Sequence, residues 1–182
     1  PTQYMTEGPE FLSLVDGKTG AELDRVDFVS RGNVSDWGDS YGHRCSKYFY
    51  GAPYLDGKRP SLFIGRGIYT RIKMQTYDVV NKKLVKKWYW ETLSEKTKIQ
   101  GKWDSEPKVY WGQGYHNMTI ADIDGDGRDE INWGSMAIDD DGLPLYSSEL
   151  YHGDAQHYGD LDPYRPGQEM FACNETKPGT NM

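Results

Sequence analysis

The sequence predicts an all-β chain, a segment of a β-propeller spanning about three to four blades with calcium-binding hairpin loops. Three observations predict it. Short runs of Val, Ile, Tyr, Phe and Trp alternate with polar residues, the period-two pattern of half-buried strands. No stretch carries apolar residues at helical spacing beyond two turns. An acidic turn also recurs: the Asp-x-Asp pairs that begin at Asp122 and Asp160 start 38 residues apart, and a degenerate copy holds Asp56 and Gly57. A repeat of about 40 residues with two hairpins per unit is the size of a four-stranded blade.

The elements follow in order. FLSLVDGKTGAELDRVDF, residues 11 to 28, is two apolar-polar runs around an Asp-Gly turn, and 1–30 reads as the end of one blade. RGNVSDWGDSYGHR at 31 to 44 is a Gly-rich connection. GAPYLDGKRPSLFIGRG at 51 to 67 and MQTYDVVNKKLVKKWYW at 74 to 90 are two hairpins, making 46–91 a second blade. Residues 91 to 112 interrupt the period as an insertion. TIADIDGDGRDEINWG and SMAIDDDGLPLYSS make 114–150 a third blade, and HYGDLDPYRPGQEMFAC places the start of a fourth in 151–182. A ring needs four or more blades, so the chain reads as a segment whose remaining blades are its first partners.

Composition narrows the partners. A net charge of -7 excludes nucleic-acid binding by a broad basic face, and no apolar run approaches the length of a membrane span. The opening at Pro1 does not read as a signal peptide. A mean hydropathy of -0.82 raises disorder. The 14 Tyr and 6 Trp argue against it, because disordered acidic segments lack aromatic residues. Cys45 and Cys173 leave two readings open, a disulfide in an oxidising compartment or two free thiols.

In DIDGDGRDE acids occupy relative positions one, three, five and nine, with a further Asp at eight. That spacing winds a loop around one ion. Asp122, Asp124 and Asp126 present carboxylates, Arg128 its backbone carbonyl and Glu130 the closing carboxylate, while Gly127 permits the turn. Oxygen-only, largely anionic ligands select a hard cation, and Ca²⁺ tolerates irregular geometry better than Mg²⁺. An EF-hand would carry Glu where Trp133 stands. The competing reading is a solvated Asp/Gly turn. Asp160, Asp162 and Glu169 in DLDPYRPGQE offer the same chemistry on a Pro-stiffened loop.

His116 precedes the first loop in GQGYHN, and His152 and His157 flank Asp154 before the second. Matching repeat positions on adjacent blades would bring His116 and His152 together at one mouth of the central channel, as a shared metal or substrate site. The competing role for each is a turn cap. GRGIYTR, with Arg66, Tyr69 and Arg71, suits sugar recognition together with the 31–44 loop, because aromatic faces stack on pyranose rings and Arg pairs with carboxylates. No Ser-His-Asp signature, phosphate loop or Cys-x-x-Cys site appears. A glycosidase carboxylate pair stays open, although most acids are committed to the ion loops.

EGPEFLSLVDGKTG, RGNVSDWGDSYGHR, GRGIYTR, GQGYHNMTIADIDGDGRDE and HGDAQHYGDLDPYRPGQE, in that order, resemble the bacterial rhamnogalacturonan lyases of polysaccharide lyase family 11 over nearly the whole chain. The resemblance implies an eight-bladed, calcium-rich propeller of which this chain is a middle portion. It also implies secreted, cell-surface or periplasmic β-elimination on the pectic polysaccharide rhamnogalacturonan I, between rhamnose and galacturonic acid. By the same resemblance His116 and His152 hold a metal in the active cleft, with Asn117 and Asp154 as neighbours that orient them. The base has no assigned position, and Arg66, Arg71 and Tyr69 are the candidates for substrate contact. The alternative is a non-catalytic, calcium-stabilised propeller for carbohydrate binding or adhesion.

Overall fold

Alternating side chains resolve into antiparallel strands joined by short turns. The structure, a computed structural model, describes residues 4–93, 96–99, 102–103 and 110–175. The outer ends of the expected first and last blades and parts of the 91–112 insertion lie outside the described residues. Strands β1 (Phe11–Val15) and β2 (Glu22–Asp27) form a hairpin. Its turn is closed by Asp16, whose Oδ1 accepts the amides of Lys18 and Thr19 at 3.0 and 2.9 Å.

A second sheet runs in sequential order through β3 (Tyr48–Gly51), β4 (Leu62–Gly67), β5 (Ile72–Val80), β6 (Lys83–Leu93), β7 (Lys96–Ile99) and β8 (Lys102–Trp103). Asn81 and Lys82, with φ of 50° and 63°, form the two-residue turn between β5 and β6, in the twist that tight hairpins require. The stretch expected as an insertion adds β7 and β8 to this sheet, because β6 pairs onward from Trp90–Ile99 to Leu93–Lys96. A third sheet holds β9 (Thr119–Ala121), β10 (Glu130–Asn132), β11 (Met136–Ile138) and β12 (Pro144–Ser147), again in order. Strands β13 (Gly153–Gly159) and β14 (Glu169–Asn174) close the series as a hairpin. Among the described residues the helical content is two 3₁₀ turns, Val34–Trp37 and Arg44–Ser46. Among these residues no helix is long and apolar enough to cross a membrane.

Two cores separate the layers, and β4 serves both. Its Ile64 and partly buried Leu62 pack with Val29, Tyr77 and Leu84 under Leu12, Leu14, Val26 and Phe28 of the first hairpin region. Its Phe63 faces the other way, into the core with Ile72, Met74, Trp88, Trp90, Ile131, Trp133, Met136 and Ile138 between the second and third sheets. Close approach there depends on absent side chains: a Cβ on Gly65 would stand 2.7 Å from Trp133 Cζ3. Beyond the third sheet the contact becomes polar. Asn117 and Gln156 exchange side-chain and backbone hydrogen bonds of 2.8 and 2.9 Å, and Gln156 Nε2 donates to Asn132 O at 2.9 Å.

Candidate functional site

The acidic loop between β9 and β10 gathers carboxylates around a buried one. Asp122 accepts the amides of Gly125 and Gly127 at 2.8 and 3.0 Å, so its side chain winds the loop, and Gly125 and Gly127 both take positive φ. Glu130 is fully buried. Its Oε2 accepts the amide of Ile123 at 2.5 Å, while its Oε1 is buried without a hydrogen-bond partner. Burial, aided by the charges of Asp124 and Asp139, pushes the Glu130 carboxyl up to about 7. An unpartnered buried carboxylate is costly, and a cation removes that cost.

Among the described residues, Asp122, Asp124 and Glu130 have ligand oxygens within 4.8 Å of one another, and so do Glu130, Asp139 and Asp140. These groups can hold a metal ion. Asp126 lies outside both: its Oδ1 accepts the amide of Arg128 at 2.9 Å and its Oδ2 faces the Arg128 side chain. That side chain reaches Asp140 Oδ2 at 2.9 Å. Asp139 and Asp140 were not anticipated from the sequence. They belong to the β11–β12 turn, and the Asp-Asp-Asp-Gly run that carries them reads locally as a plain turn.

The second loop repeats the first in its hydrogen bonds. Glu169 Oε2 accepts the amides of Leu161 and Asp162 at 3.0 and 2.9 Å, as Glu130 does with Ile123 and Asp124. Its three acids, Asp160, Asp162 and Glu169, do not converge as the first set does. The degenerate copy abuts the first loop: Asp129 Oδ2 accepts the Tyr54 amide at 2.7 Å, and Gln168 of the third copy donates to Asp122 O.

Aromatic and imidazole rings form a second constellation. His116, exposed, and His152, buried, lie before β9 and β13, and their ring centroids are 5.1 Å apart. Tyr69, from the β4–β5 turn, lies against both, at 5.5 and 4.4 Å, and its hydroxyl is 3.2 Å from His116 Nε2. His152 Nδ1 donates to Gly114 O at 2.6 Å, since a carbonyl can only accept, and this leaves Nε2 facing Glu175 Oε2 at 3.7 Å. Burial holds the His152 ring below the usual histidine range, against the charges of Glu175 and Asp154. The Gln113–His116 segment is itself anchored, because Trp133 Nε1 donates to Tyr115 O at 2.9 Å and Ser135 N to Gln113 O. His157, exposed on β13, is not part of the group.

His43 and Tyr41 join from the 31–44 loop: His43 stacks near Tyr69 and Tyr41, with both centroid distances 6.0 Å. Burial lowers the His43 pKa, and Lys47 adds to it. The Gly-rich composition marked this loop for sugar recognition without distinguishing His43, and Glu175 carried no motif at all.

Two expected substrate contacts are corrected. Arg66 is fully buried and spends its guanidinium on Glu10, Cys45 O and Val29 O at 2.7 Å each. Arg71, also buried, pairs with Asp36 and Glu91 at 3.0 and 2.8 Å. Both point into the layers around Trp37, which they flank at 5.8 and 5.3 Å: alternation along β4 turns Arg66 from the site, and Arg71, just before β5, is drawn to Asp36 and Glu91. Tyr69 remains at the surface of the site, half-buried. Cys45 is a buried free thiol and Cys173 an exposed one.

The family described as rhamnogalacturonan lyase family 11, C-terminal domain, matches residues 2–182. The chain is 50% identical over 171 residues to the rhamnogalacturonan endolyase YesW of Bacillus subtilis, covering 93% of this chain and 26% of that protein. It is 46% identical over 176 residues to the rhamnogalacturonan exolyase YesX of the same organism, covering 94% and 27%. The crystal structure of YesW superposes with a TM-score of 0.84 at 48% identity, covering 93% of this chain and 28% of that one. A solved structure of a Bacillus licheniformis rhamnogalacturonan lyase gives 0.83 at 47% identity, over 93% and 27%. The chain thus spans about a quarter of the length of the curated relatives it matches.

Proposed function

The chain belongs to rhamnogalacturonan lyase family 11, and from that premise we propose that it is a portion of a rhamnogalacturonan lyase that cleaves between rhamnose and galacturonic acid by calcium-assisted β-elimination. The observation that carries this reading is the meeting of Tyr69, His116 and His152, from three separate connections, on one surface. A purely structural acidic-loop protein has no need of it.

A Ca²⁺ held here would supply positive charge to the uronate carboxylate and so acidify the adjacent C5 proton, whose loss precedes departure of the 4-linked oxygen. The residues of this chain bind and orient. His152, set by its bond to Gly114 O, presents Nε2; His116 stands beside it; Asp154 and Glu175 add negative charge that favours a cation. Asn117 ties the His116 segment to β13 through Gln156. Tyr69 orients His116 and offers a ring face to a sugar. No residue of this chain is assigned as the base.

The sequentially stacked antiparallel sheets support the propeller reading, with the first hairpin, second sheet, third sheet and last hairpin as successive blades or parts of them. Asp122, Asp124 and Glu130, which converge, support a structural calcium site completed by the carbonyl of Arg128. Asp126, and Asp160, Asp162 and Glu169 in the next loop, are assigned as ligands from their spacing alone. On this reading the substrate is a pectic polysaccharide, and the size of such a polymer favours a protein that is secreted, at the cell surface or periplasmic.

The test uses the full protein containing this chain, with rhamnogalacturonan and Ca²⁺, and reads the ultraviolet absorbance of the unsaturated product. Wild type accumulates it, and His116→Ala/His152→Ala does not. Binding without product by the wild type refutes the lyase reading and supports a carbohydrate-binding propeller. The isolated chain is expected to show little turnover.

A further inference from the structure

The basic side chains around the site differ in one respect. Every arginine among the described residues except Arg44 has a carboxylate within ion-pair distance. Arg25 has Glu22, Arg31 and Arg66 share Glu10, Arg71 has Asp36 and Glu91, Arg128 has Asp126 and Asp140, and Arg59 and Arg165 pair within their own loops. Arg44 is half-buried, and among the described residues its guanidinium neither pairs with a carboxylate nor donates a hydrogen bond. Instead its Cζ lies 5.4 Å from the centroid of the Tyr69 ring, the ring that also touches His116 and His152.

The placement is built. Asp39 accepts the amides of Tyr41, Gly42 and Arg44 at 3.1, 2.7 and 2.8 Å, so it shapes the turn, and its charge acts on Arg44 without forming an ion pair. Gly38 makes room for the guanidinium: a Cβ there would stand 2.6 Å from Arg44 Nη1, and the backbone at Gly38 has φ of 83°. A planar donor fork held against an aromatic ring, with no acceptor of its own, is preorganised for a planar anion.

We propose that Arg44 is a substrate-binding residue that grips a uronate carboxylate of the polysaccharide from across Tyr69. The inference rests on the lyase reading above and adds to it the residue that reads the acidic sugar. Asp154 and Glu175 act on the Tyr69 hydroxyl as negative charges and Arg44 as a positive one, so the ring separates a cation-attracting side of the site from an anion-attracting side. A uronate carboxylate crossing Tyr69 meets Arg44 with both oxygens available for paired hydrogen bonds.

The test compares acidic rhamnogalacturonan oligosaccharides with the same oligosaccharides after reduction of the carboxyls to alcohols. Binding to the calcium-loaded full protein is measured by calorimetry. Wild type prefers the acidic form. Arg44→Gln weakens the acidic ligand about 10- to 100-fold, leaves the reduced ligand unchanged, and raises KM more than it lowers kcat. Arg44→Lys, which keeps the stem and the charge but not the fork, gives an intermediate loss. Equal weakening of both ligands, or an unchanged preference in Arg44→Gln at an unchanged melting temperature, overturns the proposal. A wild type with an Arg44-dependent preference that forms no unsaturated product refutes the lyase reading and leaves the carboxylate role standing.

Discussion

Replacing Gly65 by Ala should separate the second and third sheets, and a partner substitution should reverse the effect. The new Cβ would lie 2.7 and 2.9 Å from Trp133 Cζ3 and Cη2 and 3.3 Å from Phe49 Cβ. Carbon–carbon contacts are most favourable at about 3.5–4.0 Å, so the indole has to retreat by roughly 1 Å. It is poorly free to do so. Its Nε1 is bonded to Tyr115 O at 2.9 Å, and its ring is packed on Phe49 at 4.5 Å between centroids. Gly65 has an ordinary negative φ, so the cost is steric, about 1–3 kcal/mol for an overpacked core. Trp133→Phe removes the clashing ring edge at its own cost of about 2–3 kcal/mol. In that background Gly65→Ala should be neutral or stabilising, a coupling of at least about 1 kcal/mol. Urea unfolding of the four proteins at one fixed calcium concentration measures the cycle, read from midpoints at constant slope. Additive losses, or a single Gly65→Ala within about 0.5 kcal/mol of wild type, would refute the reasoning, because then the sheets are not held at the distance Trp133 sets.

Three further outcomes are expected. Saturating calcium at about 100 times its Kd should stabilise the protein by about 2.7 kcal/mol, and Glu130→Gln should lose most of that shift; an equal calcium effect in the variant would reduce the loop to a surface turn. Burial, with Arg71 beside it, lowers the Lys73 ammonium to about 8. Between about pH 8 and 10.5 the unfolded chain therefore binds more protons at this group, and stability should rise with pH by up to about 3 kcal/mol relative to Lys73→Gln. Parallel curves for the two proteins across that window would count against it. A thiol reagent should label Cys173 in the native protein and Cys45 only after unfolding, and a disulfide-linked species by mass spectrometry would contradict both free thiols.

The strands and turns were readable in the sequence because they rest on local chemistry. A period-two pattern, an Asp before a Gly, or Asn-Lys between two apolar runs specifies a hairpin within a dozen residues, and β1–β2 and β5–β6 lie where those signals stand. The Asp122–Glu130 loop is legible for the same reason: its winding is done by its own amides. Spacing failed where it had to decide a face. Arg66 and Arg71 share the GRGIYTR stretch with Tyr69, yet only Tyr69 lies against the histidines, while strand alternation buries Arg66 and ion pairs hold Arg71 beside Trp37.

By itself the sequence determined the all-β class, the order of the hairpins, the acidic loops and, through five ordered motifs, the family. Only the tertiary structure decided which distant groups meet. It brought Asp139 and Asp140 to Glu130, His43 from 26 residues away to Tyr69, and Arg44 to the edge of the site with no carboxylate of its own. The physical reason is that these contacts form between layers. Register, bulges such as the one between Gln75 and Tyr77, and packing across the Gly65–Trp133 gap place them, and none of these is encoded by the spacing of any one motif.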